Sequence, residues 1–216
     1  MRRPRIHHVI TRLIAGGAQE NTILACQALQ ERFEVLLISG PPEGREGSLV
    51  EDARRRGIEV RLLPDLVRPV SPARDARAFR ALKAIFESEK PDLVHTHSSK
   101  AGILGRWAAW AAGVPLRVHG NHGLPFHRGQ GPARRACFWA AEWLTSRITT
   151  TTVCVGEEMR RQSVRARLGP PALFEVIRSG IELERFDAAR SARARLGIPE
   201  DALVAGCVAR MASHKG

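Results

Sequence analysis

The sequence predicts an α/β fold, a doubly wound parallel sheet with helices on both faces, followed by the first strand of an incomplete second domain. Three observations lead there. Short apolar runs alternate with helix-length stretches from the N-terminus to about residue 180, the pattern of repeated strand–helix–strand units. Glycine and proline clusters punctuate the joins between them. Apolar residues are 44% and charged residues 26% of the chain, which suits a packed domain and excludes a disordered or collagen-like one.

Residues 6–10 read as a short buried strand, followed by the turn Ala15-Gly16-Gly17 and a helix over 18–32. The run 33–39 stops at Gly40-Pro41-Pro42, where proline cannot continue a strand. A helix over 48–56 leads through Gly57 into a strand at 58–63, then a helix at 73–90 and a strand at 93–97. A small-residue helix over 101–112 closes at Gly113-Val114-Pro115 before a strand at 116–119. Helix 133–145, strand 148–155, helix 157–168 and strand 172–177 complete the series. Beyond Gly180 the chain turns polar and rich in Arg and Ala, and residues 203–208 read as a fresh strand. This divides the chain into a domain at 1–180, a junction at 181–200 and the start of a further domain at 201–216.

There are 34 Lys and Arg against 22 Asp and Glu, a net charge of +12, and nearly all of the excess is arginine. Arginine's planar fork binds oxyanions bidentately, so phosphate ligands and anionic surfaces fit. Nucleic acid does not, since stacking aromatics are only 5% and Tyr is absent. The four cysteines, Cys26, Cys137, Cys154 and Cys207, form no C-x-x-C pair, and read as buried, reduced core residues of a cytoplasmic protein. No apolar run reaches the length of a membrane span.

Ligands of open parallel sheets sit at the carboxyl ends of strands. The first such loop holds Gly16 and Gly17 before a helix N-terminus, a place for an anion, although it is not the G-x-G-x-x-G dinucleotide fingerprint. The fourth strand ends in His95-Thr96-His97-Ser98-Ser99-Lys100. Alternation puts His95 and His97 on one face. Ser98 and Ser99 either cap the next helix or meet a ligand, and Lys100 stands where a phosphate or sugar is met. The following loop, His119 to His127, has the wrong spacing for a standard metal site and no carboxylate beside it, so no metal is expected. It presents His122 between Gly120 and Gly123, where an imidazole can hold a sugar hydroxyl or a developing charge.

The stretches Thr11 to Asn21 and Lys90 to Arg106, the pair His122-Gly123, the Gly180-Ile181-Glu182 segment and the Arg210 to Lys215-Gly216 loop occur in an order that resembles glycosyltransferase family 4. The resemblance implies the two-domain GT-B fold, here its Rossmann-like, acceptor-binding N-terminal half. It further implies a retaining transfer from a nucleotide-sugar donor to a glycan or lipid-linked acceptor, in cell-envelope polysaccharide or lipopolysaccharide synthesis, with no cofactor or metal. His122 then lines the cleft at the reacting sugar as the catalytic residue. Gly16, Gly17, Arg210 and Lys215 meet the donor phosphates, and His97, Ser98, Ser99 and Lys100 the acceptor. Two cations on the leaving diphosphate supply the charge neutralisation that a metal otherwise gives. Ser179, Gly156 and Ala209 depart from the family pattern, and the base, ribose and donor-sugar contacts of a complete enzyme have no counterpart here, so this chain alone is expected to be inactive.

The alternatives are a nucleotide-sugar 2-epimerase and a noncatalytic domain that binds glycans or lipid-linked phosphates. Trp107, Trp110, Trp139 and Trp143 lie at helical spacing, a packing pattern. Trp139 and Trp143 beside Arg134 and Arg135 offer a peripheral contact with an anionic inner-membrane surface on its cytoplasmic face.

Overall fold

The computed structural model describes residues 2–42, 47–126, 129–183 and 192–206. Seven parallel strands form one sheet in the order β3-β2-β1-β4-β5-β6-β7. They are β1 (Arg5–Ile10), β2 (Glu34–Ser39), β3 (Glu59–Leu62), β4 (Leu93–His97), β5 (Leu116–Asn121), β6 (Thr151–Cys154) and β7 (Phe174–Val176). The helices between them are α1 (Gly17–Leu29), α2 (Val50–Arg55), α3 (Pro72–Glu89), α4 (Ser99–Ala111), α5 (Pro132–Ser146) and α6 (Glu157–Arg165). The sheet is the doubly wound, Rossmann-like one expected.

Strand order reverses between β1 and β4, which are direct neighbours in register, His8 opposite His95 and Ile10 opposite His97. That reversal opens a crevice at the carboxyl ends of the two strands.

Alternating side chains build a separate core on each face. Ile10 and Leu37 pack with Ile23 and Cys26 of α1 and with Val50 and Ala53 of α2. Val9, Ile38 and Val94 pack on the other face with Ala78, Leu82 and Phe86 of α3 and with Ala101, Ala108 and Ala109 of α4. The small residues of α4 have a packing reason. A Cβ on Gly105 would stand 2.8 Å from the Thr96 side chain, and one on Gly102 would stand 2.6 Å from His119. This helix rides directly on β4 and β5, and larger residues would lift it off.

A third cluster around Cys154, Leu168 and Phe174 takes in Trp139 and Trp143. Trp139 Nε1 donates to Ala166 O at 2.7 Å, and Trp107 Nε1 to Thr145 Oγ1 at 3.0 Å. The tryptophans of α5 are therefore packing residues. No helix among the described residues is long and apolar enough to cross a membrane.

Three expectations need correction. Strand β5 runs two residues further than expected, through Gly120 and Asn121, while β6 begins only at Thr151, because residues 148–150 complete the turn out of α5. Cys137 is exposed on α5 rather than buried, and Cys207 lies outside the described residues. Of the strand expected over 203–208, residues 203–206 are not in a strand and residues 207–208 lie outside the described residues.

Residues 1–180 form one compact unit and residues 181–216 another. In the second, the described residues include a four-residue helix, α7 (Ala192–Arg195), whose Arg193 donates to the carbonyls of Pro199, Glu200 and Ala202.

Candidate functional site

The carboxyl ends of β4 and β5, with Thr152 of β6, line a cleft of about 240 Å³, whose wall includes Ala18, Ser98, Ser99, His119, Asn121 and His122. Each comes from the segment that topology brings to the crevice: the first turn of α1, the β4–α4 turn and the end of β5.

Ser98 is the strained point of that wall. Its backbone sits at φ 61, ψ 159, a region that side chains other than glycine rarely occupy and that costs about 1–3 kcal/mol. It makes no side-chain cap to α4. Instead Oγ accepts from the Thr11 N–H at 3.2 Å and lies 2.6 Å from Thr11 Oγ1, which in turn accepts from the Ala101 N–H at 3.1 Å. The Ser98–Thr11 pair ties the loop after β1 to the turn after β4 across the strand reversal. Of the two readings available for Ser98, capping does not apply.

Two polar clusters adjoin the cleft, one on each face of the sheet. On the α4 face Arg106, 1% exposed, donates to Glu142 Oε2 at 2.9 Å, to Thr149 Oγ1 at 3.1 Å and to Gly102 O at 2.7 Å. His119 Nδ1 lies 3.1 Å from Thr96 Oγ1. Burial, reinforced by the Arg106 charge, holds the His119 imidazole well below its ordinary pKa. Arg106 is the one cation on the cleft wall among the described residues, and Glu142 already neutralises it. The arginine excess is therefore not gathered at the cleft. Many arginines pair locally on the surface instead, as Arg54 does with Glu51 and Arg161 with Glu158.

On the other face, His122 Nε2 lies 3.3 Å from His97 Nδ1, and His97 Nε2 lies 3.1 Å from His8 Nδ1. Gly120 leaves the room for this, since a Cβ there would stand 2.8 Å from His97 Nδ1 and 3.3 Å from His122 Nε2. Burial lowers the pKa of His122, and burial together with the neighbouring imidazoles keeps His97 and His8 well below the ordinary value. His95 is lowered to about 4 by burial. All four are neutral at pH 7.

His8, His95 and His97 each bring a ring nitrogen within 4.8 Å of the others. Both nitrogens of His97 are engaged in hydrogen bonds, so a cation could bind only by replacing them.

Of the residues singled out from sequence, His122, Ser98 and Ser99 line the cleft. His97 does not: it is 1% exposed and lies beneath His122. Lys100 is turned onto α3, where it pairs with Asp75 at 2.5 Å and donates to Pro69 O. Neither side chain is on the cleft wall. Gly16 precedes α1 with an extended backbone, Gly17 opens it, and the next residue, Ala18, is the one on the cleft wall. Arg210, Lys215 and His127 lie outside the described residues. Sequence reasoning passed over His8 and the Arg106–Glu142 pair. Strand alternation carries a signal for His8, but only the β1–β4 register shows that it meets His97.

A parallel sheet of this order with a polar cleft at its strand ends defines the class of doubly wound α/β domains, which take their ligands at the switch point. The Glycosyltransferase Family 4 sequence model matches residues 15–185, and the chain belongs to that family. It is 31% identical over 183 residues to the UDP-Gal:alpha-D-GlcNAc-diphosphoundecaprenol alpha-1,3-galactosyltransferase of Escherichia coli, an alignment covering 84% of this chain and 46% of that protein. The chain thus spans about half the length of this relative. Among solved structures it resembles a glycosyltransferase from Rickettsia africae, with TM-score 0.67 and 16% identity over 93% of this chain and 51% of that one. It also resembles the UDP-N-acetylglucosamine 2-epimerase of Rickettsia bellii, with TM-score 0.61 and 12% identity over 92% of this chain and 52% of that one. At these identities the structural likeness concerns the fold.

Proposed function

We propose that this chain is the acceptor-binding half of a retaining glycosyltransferase. The reaction moves a sugar from a nucleotide-sugar donor to a hydroxyl of a glycan or lipid-linked acceptor, in the synthesis of cell-envelope polysaccharide, on the cytoplasmic side of the membrane. The observation that carries this reading is the presence of the neutral His122 on a polar cleft at the strand ends of a family 4 domain. A neutral imidazole, serine hydroxyls and an asparagine amide suit sugar hydroxyls, which bind through neutral hydrogen bonds. The likeness to a relative named for a diphosphoundecaprenol-linked substrate supports a lipid-linked acceptor.

In this reading residues 181–200 are a junction and residues 201–216 open the donor-binding domain, with Arg210 and Lys215 on the donor diphosphate. Gly16 and Gly17 let the diphosphate approach the backbone at the start of α1. Glycine is not demanded there by the fold itself: the Gly16 backbone is extended, and a Cβ on Gly17 would meet nothing within 4 Å.

The test is a transfer assay on the protein encoded by the full reading frame, with a panel of nucleotide sugars and lipid-linked acceptors. Sugar transfer with retained anomeric configuration is expected, and His122→Ala lowers turnover about 100-fold, within the range for loss of one positioned polar group. The isolated 216-residue chain turns over little or not at all. Interconversion of a nucleotide sugar with its 2-epimer, without transfer, would replace this reading with an epimerase. Acceptor binding without any donor chemistry would replace it with a binding domain.

A further inference from the structure

The cleft wall is joined to the core by a chain of three imidazoles, His122 to His97 at 3.3 Å and His97 to His8 at 3.1 Å. At its inner end His8 Nε2 is buried with no hydrogen-bond partner. At its outer end His122 lines the cleft, and its Nδ1 makes no hydrogen bond among the described residues. We propose that His97 and His8 are positioning residues that lock His122 in its Nδ1–H tautomer, so that an N–H donor rather than a lone pair is offered to the ligand.

A neutral imidazole carries one N–H and one lone pair, so each ring in such a chain passes on the direction set by the one before it. Only two arrangements make both hydrogen bonds. In one, His122 donates to His97, His97 donates to His8, and the His8 Nε2–H is left buried with no acceptor. In the other, His8 Nδ1–H donates to His97 Nε2, His97 Nδ1–H donates to His122 Nε2, and only a lone pair is orphaned on His8. Buried orphan donors are the rarer defect in folded proteins, so the second arrangement is assigned.

The neighbours do not disturb this order. His95 packs against both rings, with centroids 5.0 Å from His8 and 4.2 Å from His97, but its own Nε2 has no partner and it makes no hydrogen bond in the chain. His119 belongs to the opposite face, where it pairs with Thr96.

With Nε2 occupied by His97, His122 cannot take a proton through that nitrogen. It acts toward a ligand oxygen as a donor, to a sugar hydroxyl or a phosphate. This consequence rests on the transferase reading, whereas the tautomer itself rests on geometry.

Histidine-selective 15N labelling of the chain, with long-range proton–nitrogen correlation spectra at about pH 7.5, tests the assignment directly. A protonated Nδ1 and a bare Nε2 are expected on His122. His97→Leu releases His122 into a mixture of tautomers, while His97→Gln, whose amide can still donate to His122 Nε2, keeps the Nδ1–H form. An Nε2–H signal on His122 of the unsubstituted chain overturns the proposal. So does a folded His97→Leu variant with the His122 pattern unchanged. If His97→Leu does not fold, the unsubstituted spectrum still decides. Failure of sugar transfer by the full-length protein would remove the consequence and leave the tautomer result standing.

Discussion

On the α4 face of the strand ends Arg106 lies buried beside its counter-charge Glu142, while on the α1 face His8 and His97 lie buried, with His95 half-buried against them, and none has an acid among its partners. Both clusters are polar groups removed from water beside the same cleft. The first keeps its charge because partner, hydroxyl and carbonyl surround the guanidinium. The second avoids charge, since desolvation of an unpaired cation costs more than the proton gains. The contrast separates two kinds of support for a site. An ion pair holds helices α4 and α5 in fixed relation, whereas neutral imidazoles transmit a hydrogen-bond direction.

Acid should break this contrast with the largest effect. The folded chain holds fewer protons on these imidazoles than the unfolded chain below about pH 6.5, so stability rises with pH and falls as pH drops from 6.5 toward the lowered folded values, about 4 for His95. Each buried imidazole removes up to about 1.4 kcal/mol per pH unit in that window. Urea unfolding at about pH 7.5, 6.5 and 5.5 should give steeply falling midpoints. Equal midpoints would mean that the imidazoles are not buried neutral.

Next in size is Arg106→Met, which strands a buried carboxylate and should cost about 3–5 kcal/mol. The pair Arg106→Met with Glu142→Leu should recover most of that loss, since it removes both charges. A double variant no more stable than the single one would show that packing, not charge, dominates on this face.

Gly120→Ala inserts a methyl group against His97 and His122, and should destabilise by about 1–3 kcal/mol. Thermal unfolding measures that loss, and the imidazole nitrogen spectra should change with it. A neutral substitution would mean that the His97–His122 contact is looser than 3.3 Å.

The smallest expected effect separates strain from bonding at Ser98. Both Ser98→Ala and Ser98→Gly lose the Thr11 hydrogen bonds, but only glycine relaxes the backbone at φ 61. The glycine variant should be the more stable of the two by about 1 kcal/mol or somewhat more. Equal stability would show that the turn carries no strain.

Strand and helix alternation made the sheet legible because buried strands and their helices each impose a period that the chain must obey locally. The family motifs likewise pointed to His122, Ser98 and Ser99, which do line the cleft. His97 and Lys100 stand off the cleft wall for a common reason. Alternation says which face a side chain takes but not what waits there, and His122 covers one while Asp75 and Pro69 hold the other. The sequence could not show the partner of Ser98 either, since the hydrogen-bonded Thr11 lies 87 residues away.

The sequence by itself thus determined the order of elements, the two apolar faces of the sheet and the loops that carry polar groups, all set by local periodicity and turn chemistry. Only the tertiary structure decided that β1 and β4 lie side by side. That single adjacency sets His8 against His97 and His97 beneath His122, because hydrogen bonds between residues distant in the chain depend on register, which no local pattern encodes.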